Sequence, residues 1–433
     1  MLESRPDAPQ ASEHAQAPAA ASSPASLAGA PPAATPVRDY AYYKAVFAGR
    51  AMPCAFLDLD LLDANVRAVL ARTGGKRVRV ASKSVRSIGV LRRLLAADPS
   101  IQGLMCFTAR EASWLAAQGF EDLLIGYPCV HPDDLAAVAR ATAERPNARI
   151  TLMVDSVAQV ERAEAAAEGA GVRLPLCLDM DLALALPGLH FGAWRSPLRT
   201  PDDARPLIER IVASPHVWLD GLMGYEAQIA GVGDSAPGQT LKNALVRQLK
   251  RRSVREVARR RAALVQLAEQ CGAKLRFVNG GGTGSISTTR QEPAVTEITV
   301  GSAFYSPALF DYYRDFRYLP AAGFAIEIVR QPAAGIYTCL GGGYVASGGA
   351  GADKLPAPYL PTGARLDPLE AAGEVQTPIH YAGPERLGLG DPVFLRHSKA
   401  GELCERFTHL LLVQGGRVVE EITTYRGDGQ CFL

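Results

Sequence analysis

A (β/α)8 barrel followed by a C-terminal all-β domain is the fold class this sequence predicts, and three observations predict it. Short β-branched or apolar runs alternate with amphipathic helical stretches from about residue 54 to 305. Eight such runs fall in that span. After about residue 315 the helical period stops, and short β runs split by Gly and Pro replace it. Strand-then-helix repeats give parallel strands joined by crossover helices. Eight of them fit a closed barrel better than an open doubly wound sheet, which is the alternative.

The elements follow in order. Residues 1–36 are rich in Ala, Pro and Ser and poor in bulky apolar side chains. Such a segment cannot bury enough surface to offset its ordering entropy, so a disordered tail is expected. It lacks the basic start and Leu-rich core of a signal peptide, and Glu3, Asp7 and Glu13 argue against a transit peptide. "DLDLLDANVRAVLARTGG" reads as a helix lying against the barrel. The strand runs are "RVRVASK", "GLMCFT", "DLLIGYP", "ITLMVD", "LPLCLDMD", "LDGLMGY", "LRFVNGGG" and "EITVGSA". They define a barrel over residues 45–315 and leave a β-domain over 316–433. The longest helical stretch carries Lys250, Arg251, Arg252, Arg255, Arg259, Arg260 and Arg261. Val254, Val257, Leu264 and Leu267 recur at core-facing spacing, so the basic residues read as a solvated outer face.

Composition excludes several functions. A formal net charge of +2 in 433 residues gives no ground for nucleic-acid binding. No run of about 18 uninterrupted apolar residues suggests a membrane span. The eight cysteines form no CxxC pair, which fits a reduced, cytoplasmic protein.

Barrels do their chemistry at the C-terminal ends of the strands. Lys83 stands there on the first strand. A desolvated lysine can become an amine nucleophile that attacks carbonyl groups, although a strand-end lysine can equally be salt-bridged or exposed. On strand seven, "VNGGGTGS" brings Gly281, Gly282 and Thr283, and on strand eight "TVGSAFY" brings Gly301 and Ser302. Backbone N–H groups can close on an anion there, and the loops after the last two strands are where barrels commonly hold phosphate. A tight glycine turn is the plainer reading. A lysine facing phosphate donors points to an aldehyde that carries phosphate, namely pyridoxal 5′-phosphate.

At these positions the chain resembles the alanine-racemase-like class of pyridoxal-phosphate enzymes, within it the D-threonine aldolase / D-serine dehydratase branch. The resemblance runs over about residues 45 to 430. It rests on "RVASKS" at Lys83, "GLMGYE" at Tyr225, the strand-seven loop, and Thr296, Glu297, Gly301 and Ser302 on strand eight. "RHSKAGELCERF" is similar to a subgroup described as amino-acid deaminase/aldolase proteins. Two departures stand out. Alanine racemases place an Arg where Thr299 stands, and their "KA-x-AYGHG" sequence around the lysine is missing. Both shift the reading from racemase to lyase, with Tyr225 as the expected partner of the pyridine nitrogen.

The resemblance implies a lyase acting on β-hydroxy D-amino acids, small-molecule substrates cleaved as by an aldolase or dehydrated. It also implies a homodimer in which the β-domain, with Tyr337 and Tyr344, reaches the partner's site. A divalent metal, zinc or manganese, is expected near the cofactor through His397, with Cys404 or Glu402 as second ligand; a metal-free base is the other role for His397. Members of the branch place the second ligand two residues after the His, where this chain has Lys399. Arg195, in "LHFGAWRSPL" with His190, is expected to contact carboxylate or cofactor, or else to form a structural ion pair. The competing readings are an amino-acid racemase, a non-catalytic pyridoxal-phosphate-binding homeostasis protein, which would lack the β-domain, and a metal-dependent barrel hydrolase, for which no His-x-His follows strand one.

Overall fold

The computed structural model describes residues 38–349, 351–399 and 401–433. The expected tail, 1–36, lies outside the described residues. Eight parallel strands close into a barrel: Arg77–Ala81, Ile101–Cys106, Leu123–Pro128, Ile150–Val154, Leu174–Met180, Val217–Gly224, Phe277–Gly280 and Glu297–Val300. Each overlaps one of the eight runs read from the sequence. The last strand closes on the first with Val78 opposite Ile298 and Val80 opposite Val300.

The alternation in "RVRVA" explains how the first strand sits. Val78 and Val80 are fully buried in the main apolar core. Arg79 points the other way, where its guanidinium lies over the Phe277 ring at 5.2 Å. Phe277 belongs to a small separate cluster with Leu124, Met153, Cys177 and Met223, one from each of five consecutive barrel strands. Arg79 is fully buried there and its Nε donates to Glu297 Oε1 at 2.6 Å. The barrel floor is therefore charged as well as apolar.

The C-terminal sheet has nine strands. One of them comes from far upstream. Cys54–Asp58 pairs antiparallel with Ala322–Ala333 and parallel with His409–Gln414. The sequence reading counted these residues with the barrel and found no strand before Arg77. Their neighbours in the sheet lie hundreds of residues downstream, so no local turn signal marks them.

Thr240–Gln270 is a single helix of 31 residues. Arg251, Arg252, Arg255 and Arg259 are solvated as expected, but Lys250, Arg260 and Arg261 are not. Lys250 pairs with Asp234 at 3.1 Å. Arg260 donates to the carbonyls of Ala183 and Arg199. Arg261 pairs with Glu226 at 2.8 Å and donates to the Gly224 carbonyl, pinning the end of the sixth barrel strand.

The chain's last turn returns to the barrel. Tyr425 Oη donates to Glu111 Oε1 at 3.0 Å, and Phe107 N–H donates to its Oε2 at 2.7 Å. Burial pushes the Glu111 carboxyl up from 4.5 to about 7 against these donors. A carboxyl whose folded value exceeds its unfolded one favours the protonated fold. Its contribution is therefore full below about 4.5 and is lost as the pH rises through about 7. The melting temperature should fall between about pH 5 and about pH 8, and Glu111→Gln should flatten that dependence. An unchanged slope in the variant would assign the pH dependence to other groups.

Candidate active site

A cavity of about 880 Å³ opens at the C-terminal ends of the barrel strands, and Lys83 lies on its wall. The first strand ends at Ala81 and passes into a 3-10 turn, Ser82–Ser84, which carries the lysine. Lys83 Nζ donates to Tyr127 Oη at 3.1 Å. Tyr127 comes from the end of the third barrel strand, and it is a functional candidate the sequence reading did not single out. Burial would raise its phenol, but Lys83 and Arg195 beside it hold it below its ordinary range.

Arg195 lines the same cavity. Its Nε donates to Asp179 Oδ2 at 2.7 Å and its Nη2 to the Gly126 carbonyl at 2.7 Å. The guanidinium lies 5.3 Å from the Tyr127 ring and 6.0 Å from that of Tyr225. Asp179 is buried, and desolvation raises its carboxyl to about 6 although Arg195 opposes this. Arg195 thus forms the ion pair and also lines the cavity. Tyr225 also faces the cavity, and burial pushes its phenol up to about 12. His190 does not line the cavity; its ring stacks on Trp194 with centroids 3.8 Å apart.

Gly281, Gly282, Thr283, Gly301 and Ser302 meet on the wall of the same cavity. The two loops are tied together, because Ala303 N–H donates to Thr283 Oγ1 at 3.0 Å. Gly282 needs its missing side chain. A Cβ there would come 2.9 Å from Ala230 Cβ and 3.3 Å from Tyr225 Cε2. Gly301 is held as closely, since a Cβ would fall 2.6 Å from Ser84 Oγ. Thr299, which stands where a racemase has Arg, also lines the cavity; its hydroxyl accepts from Asn279 Nδ2 at 2.8 Å. A lysine, two aromatic rings, a guanidinium and a glycine-walled cleft form a donor set that fits pyridoxal 5′-phosphate. Gly282→Val should weaken binding of that cofactor by at least roughly tenfold, read by equilibrium titration. Equal affinity would place the phosphate elsewhere.

The expected metal pair is not brought to this cavity. His397 is fully buried and lines no part of it, and among the described residues neither ring nitrogen has a hydrogen-bond partner of good geometry, the Ala322 backbone being its polar neighbour. Burial, with Arg396 adding to it, holds its imidazole down to about 3. Cys404 is buried too, with Sγ 3.3 Å from the Val85 carbonyl oxygen. Among the described residues no group of three His, Cys, Asp or Glu side chains is placed to hold a metal. The set does not fit a metal at the substrate. The physical reason is that both side chains pack into the seam between lysine turn and β-domain. Tyr337 and Tyr344 are likewise buried and off the cavity wall.

Comparison with known proteins places these features. Residues 57–308 match the family model described as "Alanine racemase, N-terminal domain". Two curated sequences named 3-hydroxy-D-aspartate aldolase, both from Paracoccus denitrificans, are 26% and 28% identical over 264 residues, 60% of this chain. The chain spans 62% of the length of those relatives. Among solved structures, D-threonine aldolase from Filomicrobium marinum superposes with a TM-score of 0.73 at 19% identity, covering 88% of this chain and 96% of its own. D-threo-3-hydroxyaspartate dehydratase from Delftia sp. HT23 gives 0.65 at 19% identity, covering 89% and 99%. D-threo-3-hydroxyaspartate dehydratase is also known as a histidine-to-alanine variant, and as a cysteine-to-alanine variant in a metal-free form. The changed histidine and cysteine stand two positions apart. These structural likenesses show the fold.

Proposed function

Because the chain belongs to the alanine racemase N-terminal domain family, we propose that it is a pyridoxal 5′-phosphate-dependent lyase acting on β-hydroxy D-amino acids. The observation that carries this reading is Lys83 Nζ, 3.1 Å from Tyr127 Oη, on the wall of a cavity that the glycine loops after the seventh and eighth strands also line. The relatives named as aldolases of a 3-hydroxy-D-amino acid support the substrate class.

Lys83 and Tyr225 would hold the cofactor's ring end, and Gly281, Gly282, Thr283, Gly301 and Ser302 its phosphate. Bound there, the cofactor supplies an electron sink for the pair released at Cα. Every other role falls to the chain. Lys83 moves the proton at Cα. Tyr127, kept acidic by its two cationic neighbours, takes part in that transfer by holding a hydrogen bond to Nζ. Arg195, fixed by Asp179 and the Gly126 carbonyl, presents its remaining N–H groups to a carboxylate or a phenolic oxygen. The reading extends to a homodimer, on the strength of the family resemblance, and to the cytoplasm, on the strength of eight cysteines without a CxxC pair.

The test is incubation of the holoenzyme with D-threonine, D-serine and both 3-hydroxy-D-aspartates beside their L enantiomers. Aldehyde or 2-oxo acid should appear from the D compounds only. Interconversion of D- and L-alanine without any carbonyl product would put the racemase in its place.

A further inference from the structure

We propose that Lys399 takes the place of a divalent ion at the substrate's β-oxygen, so that this lyase works without metal. The inference rests on the lyase reading above and deepens it. A β-hydroxy substrate needs two things, an acid–base group at Cα and something that handles the oxygen on Cβ. Lys83 serves Cα. The segment of the β-domain that closes over the lysine turn also lines the cavity and offers a candidate for the other group.

That segment follows His397. Gly401 has φ +87°, and a Cβ there would fall 1.9 Å from the Lys83 carbonyl oxygen, so only glycine permits this approach. Arg86 Nε donates to the same carbonyl at 3.0 Å, and its guanidinium pairs with Glu405. Cys404 Sγ meets the neighbouring Val85 carbonyl. The segment that was expected to hold a metal is thus a latch on the lysine turn. Its thiol and imidazole face inward, whereas Lys399, two residues after His397, faces the cavity.

Lys399 is tethered but not neutralised. Its Nζ donates to Ser347 Oγ at 3.0 Å and lies 3.4 Å from the Ser347 carbonyl. Ser347 N–H donates in turn to Glu402 Oε1 at 2.7 Å. An ammonium has three N–H donors, so one remains for a ligand. Its neighbour Lys354 is already paired with Asp353, while among the described residues no carboxylate lies within ion-pair distance of Lys399. A cation tethered through Ser347, exposed on the wall of the cavity that Lys83 also lines and keeping a free N–H, would stabilise negative charge as it builds on the β-oxygen. That is the electrostatic service a metal would give. It comes here from the residue standing where the dehydratase's second changed position would fall.

The experiment uses the holoenzyme after exhaustive chelation, with metal content measured by mass spectrometry. Turnover of a β-hydroxy D-amino acid should persist at substoichiometric metal. Lys399→Met should lower kcat by roughly 10²–10³-fold, with Lys399→Arg keeping most of it and ethylammonium restoring part of the methionine variant's rate. Solvent exchange of the Cα proton of D-alanine, which has no β-oxygen, should fall far less, a contrast that a merely structural lysine would not give. Full kcat in Lys399→Met overturns the inference, and so does activity lost on chelation and regained with zinc or manganese. Absence of carbonyl product from the unmodified protein, with or without metal, overturns the lyase reading and takes this inference with it.

Discussion

Lys83→Ala should lose the borohydride-reducible chromophore and at least roughly 10³-fold in lyase rate, since proton transfer at Cα alone accounts for about 10²–10⁴. The expectation follows from position. Lys83 projects from a 3-10 turn that is clamped from three sides: Arg86 Nε on its own carbonyl, Gly401 packed on that same oxygen, and Ser84 packed under Gly301. Such a turn holds its place when the side chain is cut back, so the variant should fold and melt near the parent. Its defect should then be chemical. The measurements are the visible spectrum of the reconstituted protein, peptide mapping after borohydride, and single-turnover kinetics. If the reducible chromophore survived in Lys83→Ala, the cofactor would be attached elsewhere and the mechanism above would be wrong. Tyr127→Phe gives a graded control. It keeps the ring beneath Arg195 and removes only the hydrogen bond to Nζ. A smaller loss is expected, with the pH–rate profile displaced because the group beside Lys83 no longer titrates.

The barrel was legible because most of its strands are buried on both faces and read as short apolar or β-branched runs, the texture parallel sheets impose, with the alternating "RVRVA" as the exception. Lys83 and the two glycine loops followed from that, since the ends of identified strands are where barrel chemistry sits. The same rule would have found Tyr127 in "DLLIGYP" and Asp179 in "LPLCLDMD", both inside quoted runs. Neither belongs to a motif, so nothing local sets it apart from the rest of its run. Other features left no local trace. Cys54–Asp58 finds its sheet only through Ala322 and Leu411, so nothing nearby marks it as a strand. Lys250, Arg260 and Arg261 look like their solvated neighbours, and only the approach of Asp234, Glu226 and bare carbonyls makes them buried partners. That His397 lies off the cavity wall was hidden for a related reason. Spacing within a motif fixes which residues are close in the chain, but it does not say which side of the β-domain faces the substrate. Thr299 illustrates the opposite case, because a single missing arginine was visible in the sequence and its hydroxyl does lie in the cavity.

The largest stability effect should come from the barrel floor. Arg79 has no exposed surface, and it bridges Glu297 at 2.6 Å and Asp122 at 3.2 Å. Burial alone would lower its basicity, but the two carboxylates more than offset this and hold it charged. Arg79→Met removes the cation and leaves Glu297 in the barrel interior with only Asn279 Nδ2, at 2.8 Å, to serve it. Breaking a buried pair from one side leaves an uncompensated charge, and about 3–5 kcal/mol of stability should be lost. Glu297→Gln should cost less, because Arg79 keeps Asp122 and the carbonyls of Leu104 and Asp122. The double variant decides between charge and packing. If the cost is an orphaned carboxylate, Arg79→Met with Glu297→Gln should be more stable than Arg79→Met alone, with a coupling of about 0.5–3 kcal/mol in urea unfolding. If the cost is lost volume, the two effects will simply add. The consequence should also reach the active site. Asn279 shares its amide between Glu297 and Thr299, and Thr299 lies on the cavity wall. A relaxed floor frees that amide, so cofactor affinity should drop in Arg79→Met and recover in the double variant. Unchanged affinity across all three proteins would mean that the floor and the cleft are energetically separate.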